Sequence, residues 1–232
     1  MDAVCVAKTF FDGTERMFEW APPDGWIVLE GPQARELYSS AGSHFLGAPV
    51  SAEYLNTIQY AIIRSNETFS TNIIVRFENK RFGYQAADLD ILKKQLEDIF
   101  KSRGAVLTVE KVSLLTRNDG KRVLEMVLDY PSEGAKQVQA TIHVAGGQVQ
   151  AILTAKSDVF SSDRNVLLNF IERVPYSSYA TAQPLIESEQ WYVFLFKTFV
   201  GASIAILLYY GIAHLWKIRK ESKGTKTKTP EG

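Results

Sequence analysis

Hydrophobic and polar positions first fall into a pattern over residues 17–29, MFEWAPPDGWIVL, where Phe18 and Trp20 alternate in one short run and Trp26 and Val28 in the next. Pro22, Pro23, Asp24 and Gly25 between them supply turn chemistry, so an opening pair of strands is predicted. Residues 31–49 carry no sustained period and are rich in Gly, Ser, Ala and Pro around Tyr38, His44 and Phe45. They read as an irregular loop with room for a short helix at 34–38. Residues 57–77 give a β-hairpin signal, with the β-branched and aromatic arms TIQYAIIRS and STNIIVRF around Asn66-Glu67-Thr68. That triplet is also a glycosylation sequon, but a tight turn is the simpler reading. Lys80, Arg81, Phe82 and Tyr84 form a short basic and aromatic cluster, read as an ordinary loop.

From Asp88 the period changes. Leu89, Leu92, Leu96, Ile99 and Phe100 recur at steps of three and four, which predicts an amphipathic helix capped by Asp88, closed near Gly104 and packed on a sheet. Residues 105–155 return to alternation and predict four strands in meander order. Residues 105–115 pair with 122–130 across Asn118-Asp119-Gly120, and 137–144 with 148–155 across Gly146-Gly147. In the third of these strands Val138, Ala140, Ile142 and Val144 oppose Gln137, Gln139, Thr141 and His143, so one face should be wetter. Residues 157–174 predict a closing helix with Ser161, Ser162 or Asp163 as cap and Val166, Leu167, Phe170, Ile171 and Val174 as its buried stripe.

The last pattern has no polar face. Residues 191–216, WYVFLFKTFVGASIAILLYYGIAHLW, include sixteen consecutive uncharged residues from Thr198. As a helix at about 1.5 Å per residue they exceed the roughly 30 Å hydrocarbon layer of a bilayer. Trp191, Tyr192 and Trp216 stand at the two ends, where amphipathic rings favour the headgroup level, and Lys197 can snorkel outward. A single transmembrane helix is therefore expected, followed by a basic tail with Lys217, Arg219 and Lys220 at the membrane surface. The small residues Gly201, Ala202, Ser203 and Ala205 would allow another helix to pack closely.

Charge refines this picture. The chain balances 26 basic against 26 acidic residues, but residues 217–232 hold six basic and two acidic ones, while residues 1–190 hold 19 basic and 24 acidic. The tail would face the cytosol, matrix or stroma by the positive-inside rule, exporting the domain to a lumen or periplasm. A helix made last, with no basic and apolar leader ahead of the domain, instead matches a tail anchor with the domain facing the cytosol. We favour the tail anchor, in the mitochondrial outer membrane or endoplasmic reticulum. The division expected is a flexible N-terminus at 1–16, a globular domain at 17–174, a polar linker at 175–190, the anchor at 191–216 and the tail at 217–232.

Candidate chemistry adds little. A lone Cys5 excludes an internal disulfide or a CxxC site. His44, His143 and His214 are dispersed without metal-ligand spacing. Asp88 with Asp90 and Asp158 with Asp163 sit at helix starts, where capping explains them. Gly146-Gly147 lacks the lysine and helix of a phosphate loop, and no GxSxG occurs. No catalytic, cofactor or metal site is assigned, no small-molecule substrate is expected, and the mildly acidic domain does not suit a nucleic-acid partner.

FEWAPPDGWIVL, TNIIVRF, the helix from Leu89 to Phe100 and VQATIHVAGGQVQAILTAKSDVF, taken in order, resemble the Mog/PsbP-like α/β/α sandwich family, which includes DcrB-like proteins. The resemblance spans residues 17–174. It implies an antiparallel sheet flanked by helices and a non-catalytic role in protein–protein contact, and no partner-binding residue carries over. The C-terminal anchor departs from the family pattern. The expected function is a membrane-tethered domain that recruits or assembles a protein partner. The alternatives are a structural accessory subunit of a mitochondrial, thylakoid or bacterial membrane complex, and a hydrolase or ligand-binding domain with a deep polar pocket.

Overall fold

The β-branched and aromatic runs become the strands of one large antiparallel sheet in a computed structural model of the chain, which describes residues 8–11, 17–46, 51–65, 70–79, 82–83, 85–102, 107–177 and 183–184. In chain order the elements are β1 (Lys8–Phe11), β2 (Met17–Trp20), β3 (Trp26–Glu30), α1 (Gly31–Leu46), α2 (Ala52–Thr57), β4 (Ile58–Ser65), β5 (Ser70–Glu78) and β6 (Phe82–Gly83). There follow α3 (Leu89–Ser102), β7 (Thr108–Thr116), β8 (Arg122–Tyr130), β9 (Ala135–Val144), β10 (Gly147–Lys156), α4 (Phe160–Arg173) and β11 (Gln183–Pro184). The large sheet runs β3-β4-β5-β10-β9-β8-β7 with every pair antiparallel. The hairpin at 57–77 and the four-stranded meander are thus present, and they join where β10 lies beside β5.

Side-chain alternation divides the sheet into two unlike faces. The first is continuous: Ile62, Ile73, Val127, Val138, Ile142, Ala151 and Leu153 meet Leu167, Phe170 and Ile171 of α4 and Val174 just past its end. The second is split. At one end α1 and α2 cover Ile58, Ala61, Ile63 and Ile74 with Ala34, Tyr38 and Tyr54. At the other, Leu92, Leu96 and Phe100 of α3 cover Leu124, Met126 and Leu128. Helices on both faces of an antiparallel sheet make an α+β, three-layer arrangement, as expected.

Several expectations change in detail. Residues 31–46, expected to be largely loop, form helix α1. Pro32 lies in its first turn, where a missing N–H is harmless, and Ala34 and Tyr38, one turn apart, are both buried. Burial of that stripe outweighs the weak helix propensity of the Gly and Ser residues. The opening strands exist but do not pair with each other. β2 pairs with β1, and β3 pairs with β4. Lys8–Phe11 therefore belongs to the fold, although a flexible stretch was expected there. Its Phe10 is fully buried among Phe18, Trp20, Tyr60 and Phe170, at centroid distances of 5.4, 6.0, 4.7 and 5.4 Å. The β9–β10 turn is Ala145-Gly146, with Gly146 at φ 80°, and Gly147 is already the first residue of β10. Asp88, expected to cap the helix from Leu89, instead serves a short 3-10 turn ahead of it, Ala86–Asp88: its Oδ2 accepts from Gln85 N at 2.9 Å.

Candidate interaction site

The anchor residues Trp191, Tyr192, Trp216, Lys217, Arg219 and Lys220 all lie outside the described residues, as do Cys5, the Asn66-Glu67-Thr68 turn and His214. Among the described residues no helix is long and apolar enough to cross a membrane, and no group of His, Cys, Asp and Glu is placed to hold a metal ion. Three other features carry chemistry: a buried polar strip, a set of buried carboxylates, and the two edges of the sheet.

The strip corrects the expectation of a wet face. Gln137, Gln139, Thr141 and His143 of β9 are at most 2% exposed, as are Gln148, Gln150 and Thr154 of β10 and Asn72 and Arg76 of β5. Register sets these strands side by side at the centre of the second face, so Glu78 neighbours Gln148 and Arg76 neighbours Gln150. Part of this buried strip is satisfied by hydrogen bonds across the ladder, while Asn72 Nδ2, Gln139 Oε1 and Gln148 Oε1 are left without a partner among the described residues. Gln137 Nε2 donates to Thr154 Oγ1 at 3.1 Å, and Gln148 Nε2 to Glu78 Oε2 at 3.0 Å. Arg76 anchors one end. Its guanidinium donates to Thr57 Oγ1, Gln150 Oε1 and Glu78 Oε1 at 2.9, 3.3 and 3.0 Å and lies 4.2 Å over the Tyr54 ring. Burial pushes the Tyr54 and Tyr38 phenols above their ordinary range.

The first face holds two buried carboxylates. Glu125 accepts from Arg164 of α4, from Lys111 Nζ at 3.1 Å and from Ser113 Oγ at 3.2 Å. Asp163 is one of the three residues, with Ser161 and Ser162, expected to cap α4. Instead it points into the sheet, pairing with Arg64 and accepting from Thr71 Oγ1 at 3.0 Å, and Val159 at the helix start makes no side-chain cap. The far end of α4 is held by Arg117, which donates to the carbonyls of Val174 and Glu172 at 2.7 and 3.1 Å, a cation where the helix dipole favours one. The chain then stays on the domain for some way into the segment expected to be a linker. Ser177 N donates to His143 O at 2.9 Å, and β11 pairs in parallel with β6.

The two edges differ in how they are protected. β7 is interrupted by a bulge between Val109 and Lys111, carries Glu110 and Lys111, and has Lys93 of α3 reaching the Glu110 carbonyl at 3.5 Å. These are the devices that discourage further strand pairing. β3 has a regular register with β4, contains no Lys, Arg or Pro, and leaves Ile27 54% exposed. The apolar run WIVLE was visible in the sequence. That it forms an edge depends on strand order, which local pattern does not encode.

No protein-family model matches the chain, and no curated protein does. Among solved structures it is similar to the cyanobacterial PsbP (CyanoP) from Synechocystis sp. PCC 6803, determined in solution. The two share 12% identity and a TM-score of 0.39, with 73% of this chain and 91% of that chain covered. A likeness at this level says nothing of what this chain binds.

Proposed function

We propose that this chain is a membrane-tethered, non-catalytic protein-binding domain of the Mog/PsbP-like kind that recruits or assembles a protein partner at a membrane. One observation carries the non-catalytic part: each of the carboxylates Glu125 and Asp163, both buried, and Glu78, largely shielded, is bound to a cation and ties one element to another. Asp163 joins α4 to β4 and β5, Glu125 joins α4 to β7 and β8, and Glu78 joins β5 to β10. A general acid or base needs a reachable proton and a tuned affinity for it. These groups are positioned for cohesion. The tether rests on the tryptophan-bracketed stretch at 191–216, with its basic continuation as the surface contact. Confinement to a thin layer raises the effective concentration of the domain toward partners in the same membrane, so a modest contact suffices for recruitment.

The test is chemical cross-linking of the full-length chain in its native membrane, compared with a form ending at residue 184. The expected result is a discrete cross-linked partner for the full-length chain and loss of both membrane association and cross-link for the shorter one. Turnover of substrate by the purified full-length chain, abolished by Glu78→Gln or Glu125→Gln with the fold intact, would overturn the non-catalytic reading.

A further inference from the structure

From the edge at β3, unpaired on its outer side among the described residues, we infer that the domain takes its partner by strand addition, and that the partner segment is a short extended run with apolar residues at its centre and a lysine or arginine at each end. The inference rests on the protein-binding role proposed above and specifies its chemistry. An edge strand presents a row of main-chain donors and acceptors that an incoming strand can complete. Among the described residues the sheet has two such edges, and only β3 lacks a bulge and basic residues. Beside that row stands Ile27, one of two exposed large apolar side chains among the described residues, the other being Ile91 on α3.

Charge says which strand fits. Asp24 and Glu30, both exposed, bracket Trp26–Glu30 at its two ends, Glu19 lies exposed on β2, and no Lys or Arg occurs between residues 17 and 34; the guanidinium of Arg35, beside Gly31, donates inward to the Ile58 carbonyl at 3.2 Å. The edge is an apolar bar with an acid at either end. A basic-apolar-basic strand meets it with opposite charge at both ends in either direction.

The same charges argue against a second copy of the chain. Antiparallel self-pairing about Val28 would bring Glu30 of each copy toward the Asp24 end of the other, acid against acid. Two five-residue strands also bury far less than the roughly 1,200 Å² at the lower end of stable interfaces. A short segment from a partner held in the same membrane has no such requirement, because tethering supplies the missing affinity.

The experiment is a flotation assay on the full-length chain reconstituted into phosphatidylcholine vesicles, using fluorescent, end-blocked peptides. The probes are Lys-Val-Ile-Val-Lys, its Glu-Val-Ile-Val-Glu counterpart, and the lysine peptide with alternate backbone nitrogens methylated. The lysine peptide should float with the chain, with at least tenfold less of the glutamate peptide and of the methylated one. Ile27→Lys should reduce its binding at least tenfold without changing thermal stability, since the side chain is half in water. Ile91→Lys should leave binding unchanged. The proposal is overturned if the lysine peptide fails to float with the chain, if the glutamate peptide binds equally, or if Ile27→Lys is without effect. It is also overturned if Ile27 instead controls a monomer–dimer equilibrium, which would identify a second copy as the occupant. Failure of the tether reads out separately, because the chain itself then stays at the bottom of the gradient. The inference is then judged by peptide binding in that fraction.

Discussion

Gly147 shows how tightly the centre of the sheet is built. A Cβ added there would stand 2.0 Å from the Glu78 carbonyl oxygen, a main-chain atom that cannot swing aside. Gly147→Ala must therefore shift β10 against β5, at a cost of about 1–3 kcal/mol or more, and a lowered melting temperature by calorimetry is the expected sign. The shielded carboxylates can be ranked by what each would leave behind. Glu78→Ala strands Arg76, which is wholly buried, and should cost about 3–5 kcal/mol. Glu125→Ala should cost less, because Arg164 and Lys111 both reach water and can be hydrated. Chemical denaturation that placed the two in the opposite order would refute the ranking. The tyrosines give a pH dependence. Burial raises the folded-state pKa of Tyr38, Tyr54 and Tyr130 above the unfolded value near 10, so their contribution is complete below pH 10 and declines above it. Each should remove up to about 1.4 kcal/mol of stability per pH unit beyond that point. A flat denaturation midpoint between pH 9 and 11.5 would contradict this.

At the scale of elements, regular period was legible and long-range placement was not. The α3 stripe of Leu92, Leu96 and Phe100 and the β7–β10 meander follow from local spacing, and the structure places them as that spacing implies. Helix α1 was hidden because its Gly and Ser residues read as loop, and only contact with β4 reveals the Ala34 and Tyr38 stripe. β1 was hidden because four residues, KTFF, are too short to show a period. The polar alternation in β9 has the period of a strand, but its polar side is buried rather than wet. Gln137 and Thr154 are partners in a ladder. Because Phe10 of β1 touches Phe18, Trp20, Tyr60 and Phe170, Phe10→Ala should cost about 3–5 kcal/mol by urea denaturation. A loss below 1 kcal/mol would mean that β1 contributes little to the core.

For the whole molecule, the account joins an α+β body with guarded and unguarded edges to a stretch whose composition suits a bilayer. In the proposed role, the body would hold the partner and the stretch would set where. Of the candidate site, the sequence displayed WIVLE and its flanking acids but not their position at the rim of the sheet, since strand order is settled by pairing between residues far apart in the chain. The tether decides whether weak strand addition can recruit anything, so it is the claim to test first. The direct measurement is sodium carbonate extraction of membranes bearing the full-length chain, followed by flotation. The account predicts that the chain stays with the floated lipid and that a form ending at residue 184 is released. Release of the full-length chain into the carbonate supernatant as a monodisperse monomer would contradict it.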